Sequence, residues 1–144
     1  MSAFTDYAEN KLCDHLFRAQ TFSAPATLYV ALFTASPTDA GGGTECTGGD
    51  YARVAVTCSL TNWSGTQGAG TTAASSGTSG TISNNISVTF PTPTASWGTV
   101  VAVGLCDAAS AGNLLLYGAV SPSKTINNGD AAPQFAPGDL QFKL

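Results

Sequence analysis

The chain has 144 residues, of which 43% are hydrophobic and only 10% charged, and it carries a net charge of −4 at pH 7. This length suits a single domain, residues 1–144, that buries roughly two thirds of its unfolded surface without help from disulfides or a structural metal. Five Lys+Arg against nine Asp+Glu leave little counterion release for nucleic-acid binding, an anionic membrane would repel the chain, and no run of about 18 apolar residues exists to span a bilayer. Neither nucleic acid nor a membrane is an expected partner.

Residues 1–22 form an N-terminal helical arm and residues 23–144 a β body. The arm carries the one convincing helix, over residues 4–19, where Phe4, Ala8, Leu12, Leu16 and Ala19 recur at helical spacing and Ser2 or Thr5 can cap the start. Asp6 and Glu9 early and Arg18 late follow the order the helix dipole favours. The same charges, with Lys11 and Asp14, break up any apolar segment of a signal peptide, so synthesis and assembly in a cytoplasm are expected.

After Pro25 the period becomes two. Leu28, Val30 and Leu32 point to one face and Tyr29, Ala31 and Phe33 to the other, which predicts a central strand. Residues 36–43 are loop, and residues 51–58 predict a half-exposed strand with Arg53 and Thr57 on its polar side. The stretch 61–80 is too rich in Gly, Ser and Thr to repay its ordering entropy, which predicts a polar flexible loop. Further strands are expected at 86–90, 100–106, 114–119 and 140–144, with Asn127-Asn128-Gly129-Asp130 turning a tight hairpin and Pro137-Gly138 a further turn. Such short strands bounded by Gly, Pro or Asn describe a mainly all-β fold: an antiparallel β-sandwich or jelly-roll-like domain with one N-terminal α-helix.

The residues offer little chemistry. His15 and Asp14 are helix neighbours that do not face each other, and no serine sits in a nucleophile elbow, so no catalytic residue is assigned. The glycines 41–43 lack the Gly-Lys-Ser/Thr continuation of a phosphate loop, and the loop aspartates read as turn caps rather than calcium ligands. Cys13, Cys46, Cys58 and Cys106 are widely spaced without a CxxC pair and read as free thiols. No metal or cofactor is expected.

The aromatic residues carry the remaining signal. Phe4, Tyr7 and Phe17 broaden the apolar surface of the helix beyond the stripe of Leu12 and Leu16, so a helix with two apolar flanks needs a second partner. Trp97, between strands, reads as core, whereas Trp63, inside the polar segment, reads as a contact residue. The candidate protein-contact residues are therefore Phe4, Tyr7, Leu12, Leu16, Phe17 and Trp63.

The runs LYVALFTASPTDAGGGTE (28–45), GGDYARVAVT (48–57), VTFPTPTASWGTVVAVGLCDAASAGNLLLYGAV (88–120), KTINNGD (124–130) and FAPGDL (135–140) together resemble a family of small tailed-bacteriophage virion proteins. Its members are labelled tail fibre protein, structural protein or, for similar small β proteins, capsid cement or decoration protein. The resemblance covers nearly the whole chain and carries no catalytic residues. It implies a non-enzymatic virion component. The leading expectation is a capsid cement protein that forms a homo-dimer or homo-trimer and bridges major capsid protein subunits. The alternative is a tail-associated module, bound to tail proteins, that contacts the host surface.

Overall fold

The computed structural model describes residues 2–67, 72–77 and 80–144. The chain opens with β1 (Ser2–Phe4), runs directly into α1 (Asp6–Phe17), and continues through β2 (Thr27–Ala35), β3 (Thr44–Glu45), β4 (Val54–Thr57), β5 (Trp63–Ser64) and β6 (Thr81–Asn84). It ends with β7 (Val88–Thr89), β8 (Gly98–Cys106), β9 (Leu114–Ile126), β10 (Gln134–Phe135) and β11 (Gln141–Lys143). A six-stranded antiparallel sheet has the order β1-β9-β8-β2-β3, with β4 also pairing β2; the pair β10-β7 and the triplet β11-β6-β5 form the second layer.

The alternation in β2 explains the layering. Val30 and Leu32 face the space between the layers, where they meet Val88, Phe90, Trp97, Leu105, Leu140 and Phe142. Ala31 and Phe33 turn to the opposite face and pack with Ala102 and Cys106. There Phe33 and Leu114 lie so close over Gly104 that a Cβ would stand 2.9 and 2.6 Å from them, so a larger residue there would force these side chains to shift. The fold is the antiparallel sandwich with one helix that the strand pattern predicts, and β2 is central.

The helix is shorter than the expected 4–19, because Phe4 pairs with Leu116 in the β1–β9 ladder. Strand pairing outcompetes an extra helical turn at that position. Thr5 occupies the N-cap but makes no capping bond; its hydroxyl donates to the Leu114 carbonyl at 2.5 Å and its N–H to Leu115 at 3.0 Å, fastening the helix start to β9. The chain leaves the helix through Ala19 at φ 54°, with the Arg18 and Gln20 N–H groups donating back to the Asp14 carbonyl.

Three further expectations change. Asn127–Asp130 is a turn, with the Asn127 N–H donating to Asp130 Oδ2 at 2.7 Å, yet it makes no hairpin, since β9 before it pairs with β8 while β10 after it pairs with β7. The Gly129 N–H instead donates to the Pro93 carbonyl at 3.0 Å, and the turn carries the chain from one layer to the other. Second, β9 continues to Ile126: Val100 pairs Lys124 and Ala102 pairs Ala119, so residues 120–123 bulge opposite Val101. Their Pro and Ser content hides the strand from a period-two reading. Third, the predicted strand 51–58 is ordered as a strand only over Val54–Thr57. Tyr51 dips into the interlayer core, edge-on to Trp97 at 5.2 Å, and Arg53 is nearly buried rather than solvent-facing.

The expected flexible loop 61–80 falls partly outside the described residues; within them, Trp63 and Ser64 pair with Asn84 and Ser83 as β5. Asn84 is 1% exposed and ties this layer together. Its Nδ2 donates to the Ile86 and Ala136 carbonyls, both at 2.8 Å, and its Oδ1 accepts from the Leu140 N–H at 2.9 Å. A buried amide of this kind holds the fold only because its donors and acceptor all find partners.

Candidate functional site

The contact residues predicted from the sequence separate onto two surfaces. Tyr7, Leu12, Leu16 and Phe17 lie on α1, while Phe4 and Trp63 line a cleft between the layers.

The helix meets the body only through its first turns. Ala8 is buried, and exposure then climbs through Leu12 (38%) and Leu16 (64%) to Phe17 (83%). A helical stripe drifts around its axis because 3.6 residues per turn do not match the i+4 step, so a stripe that starts against the sheet ends in solvent. Tyr7 is half-buried with Lys11 5.7 Å above its ring, and Asp14 and Arg18 form an exposed ion pair at 3.1 Å. His15 is exposed, and its Nδ1 lies 3.1 Å from the Gln20 carbonyl. It faces no nucleophile among the described residues.

The cleft measures about 430 Å³ and opens where β1, β11, β6 and β5 approach one another. Ser2 closes one side: its Oγ donates to the Lys143 carbonyl at 2.8 Å and accepts from the Lys143 N–H at 2.7 Å. Phe4, Leu28, Trp63, Ile82, Phe142 and Leu144 supply an almost wholly apolar lining, with Leu60 and Ile82 exposed at the rim. Trp63 is not the isolated exposed side chain that its polar surroundings suggest; it packs against the core cluster. Its indole Nε1 is buried and has no hydrogen-bond partner, whereas Trp97 Nε1 donates to the Gly49 carbonyl at 2.9 Å. A lone buried donor costs about 1–3 kcal/mol.

One polar cluster is buried that the sequence does not reveal. Arg53 Nε and Nη2 bind both oxygens of Glu45 at 2.9 and 2.8 Å, while Nη1 donates to the Ala108 and Ala111 carbonyls. Tyr51 donates to Glu45 Oε1 at 3.0 Å and accepts from the Leu32 N–H. Burial, reinforced by the nearby carboxylate, pushes the Tyr51 hydroxyl well above its ordinary range, and the Glu45 hydrogen bond keeps Arg53 charged. Burial likewise raises the Cys46 and Cys106 thiols to about 11. Thiols held protonated in this way are poor nucleophiles and poor metal ligands. The cluster clamps the 107–113 loop to the sheet edge, and all four cysteines are free. Among the described residues no three His, Cys, Asp or Glu side chains gather closely enough to hold a metal, and no helix is long and apolar enough to cross a membrane.

What the arrangement offers is therefore surface: an apolar helix end and an apolar cleft. Residues 3–143 match the family described as Podophage GP4 fiber I protein gp80. No curated protein matches the chain. The family match runs from β1 to β11 and includes both surfaces, and the chain belongs to this family of bacteriophage fibre proteins, a structural component of the virion.

Proposed function

We propose that this member of the fiber I family is a structural module of a phage tail, working at a fibre or its attachment point by assembly rather than by catalysis. The observation that carries the reading is the match of nearly the whole chain to a family described as a fiber protein. That description favours the tail-associated role over the capsid-cement role that the sequence resemblance put first. Size refines it. A domain of this length has a radius of gyration of roughly 15 Å, too short to reach a host as a stalk, so it serves as a compact unit within a larger fibre. The exposed end of α1 supplies a contact for neighbouring tail proteins, since an apolar helix end without a partner in its own body is the kind of surface that binds one.

Quantitative mass spectrometry of purified virions, counting this chain against the major capsid protein, tests the proposal. A small copy number, with labelled antibody seen at the tail by electron microscopy, is the expected result. Abundance comparable with the major capsid protein would place the chain on the shell and overturn the tail reading.

A further inference from the structure

We infer that Asn128 is a site of spontaneous deamidation and isomerisation, and that its product releases the turn joining the two layers. This goes beyond the tail assignment and holds wherever in the virion the chain sits. Asn128-Gly129 is the one Asn-Gly pair in the chain. A glycine leaves its own nitrogen open to approach, because no Cβ shields it. Asn128 is exposed, and its carboxamide makes no hydrogen bond among the described residues.

The other asparagines are restrained. Asn62, Asn84, Asn85 and Asn113 donate from their side-chain amides to carbonyl or carboxylate oxygens. Asn10 lies inside α1, where the helical ladder holds the nitrogen of Lys11. Asn127 is followed by Asn128, whose side chain crowds the nitrogen that would have to attack.

The chemistry needs only water and hydroxide. The Gly129 nitrogen gives its proton to hydroxide and attacks Asn128 Cγ; a C–N bond forms, the Cγ–Nδ2 bond breaks and ammonia leaves. Water then opens the cyclic succinimide. Cleavage between Cγ and the ring nitrogen gives aspartate, whereas cleavage between the main-chain carbonyl carbon and that nitrogen gives isoaspartate, whose main chain runs through Cβ and Cγ. Either product carries a new negative charge in place of the amide.

The turn decides both the rate and the consequence. The Asp130 N–H closes it on the Asn127 carbonyl at 3.2 Å, and Gly129, at φ 79°, donates its N–H to the carbonyl of buried Pro93 at 3.0 Å. The attacking nitrogen is the one held by Pro93, so that bond must break first and local opening gates the reaction. Isoaspartate lengthens the main chain at this point, and neither bond then returns in its old register. The lesion falls where the chain passes from β9 in the large sheet to β10 in the second layer.

Incubation of the full chain in mildly alkaline buffer, followed by peptide mapping that distinguishes isoaspartate from aspartate, tests this. Isoaspartate is expected at residue 128 before any other asparagine reacts, and faster in denaturant than in the folded chain. Asn128→Gln keeps the amide but disfavours the ring, and should slow the deamidation of the whole chain roughly tenfold. The aged form, separated from fresh protein by anion exchange, should show faster amide hydrogen exchange in peptides covering 88–94 and 127–135. First reaction at another asparagine, aspartate without isoaspartate, an undiminished rate in Asn128→Gln, equal rates folded and denatured, or unchanged hydrogen exchange in the aged form would each overturn the proposal.

Discussion

The interlayer core around Asn84 and the free end of α1 use similar residue types to opposite ends. In the core, Leu140 and Phe142 are 2% exposed, and the polar Asn84 between them has its side-chain oxygen and nitrogen all engaged. On the helix, Leu16 and Phe17 stand largely in solvent, 64% and 83% exposed. The first region is complete within one copy and specifies the fold. The second is left exposed on the surface of the copy. An apolar residue thus signals stability or association according to whether the body reaches it, which composition alone does not tell.

The sharpest test of this contrast is Asn84→Ala, which strips partners from the Ile86 and Ala136 carbonyls and the Leu140 N–H. It should cost about 3 kcal/mol and lower the melting temperature by on the order of 10 °C, read by calorimetry. A loss as small as that of a surface substitution would show that the second layer does not depend on this amide.

Next comes the Arg53 clamp. Arg53→Met leaves Glu45 without its bidentate partner and frees the Ala108 and Ala111 carbonyls, with the two side chains only 11% and 25% exposed. A loss of about 2 kcal/mol is expected in denaturant unfolding, less than for a fully buried pair because water reaches Glu45. Glu45→Gln with Arg53→Met should recover part of it, since no uncompensated charge then remains.

The thiols set the alkaline limit. Cys46 and Cys106 keep their protons to about 11 in the folded chain, against an ordinary value of 9.0. Below pH 9 both states are protonated and the contribution is fully present; between 9 and 11 the unfolded thiols ionise first, so stability falls, and above about 11 the loss is complete. Unfolding at about pH 8 and about pH 10.5 should differ by on the order of a few kcal/mol, and Cys46→Val should shrink the difference. At neutral pH an aromatic disulfide reagent should modify exposed Cys13 first and reach buried Cys46 and Cys106 only as the chain unfolds.

The smallest effect on stability belongs to the other region. Phe17→Ser should change the melting temperature by less than about 2 °C, because nothing packs on a side chain this exposed. Its consequence should appear instead in incorporation into virions, measured by mass spectrometry, where reduced copy number is expected. A large drop in melting temperature would mean that the helix end belongs to the body after all.

The class of the fold, the central β2 with two apolar faces and the core position of Trp97 are legible in the residue pattern alone. These are local signals: a period of two or near four, and turn residues with their own backbone preferences. Long-range pairing is what makes Phe4 join a strand, turns Asn127–Asp130 between layers instead of within a hairpin, and runs β9 on past Ser121 and Pro122. It also decided that Asn84 and the Glu45–Arg53–Tyr51 cluster lie inside, and that Trp63 faces a cleft with its donor unmet. Each of these depends on partners far apart along the chain. Phe4 meets Leu116 and Asn84 meets Ala136 across distances in sequence that no periodicity spans. Whether a strand edge, a buried amide or an indole N–H finds a partner is settled by which segments the collapse of the core brings together.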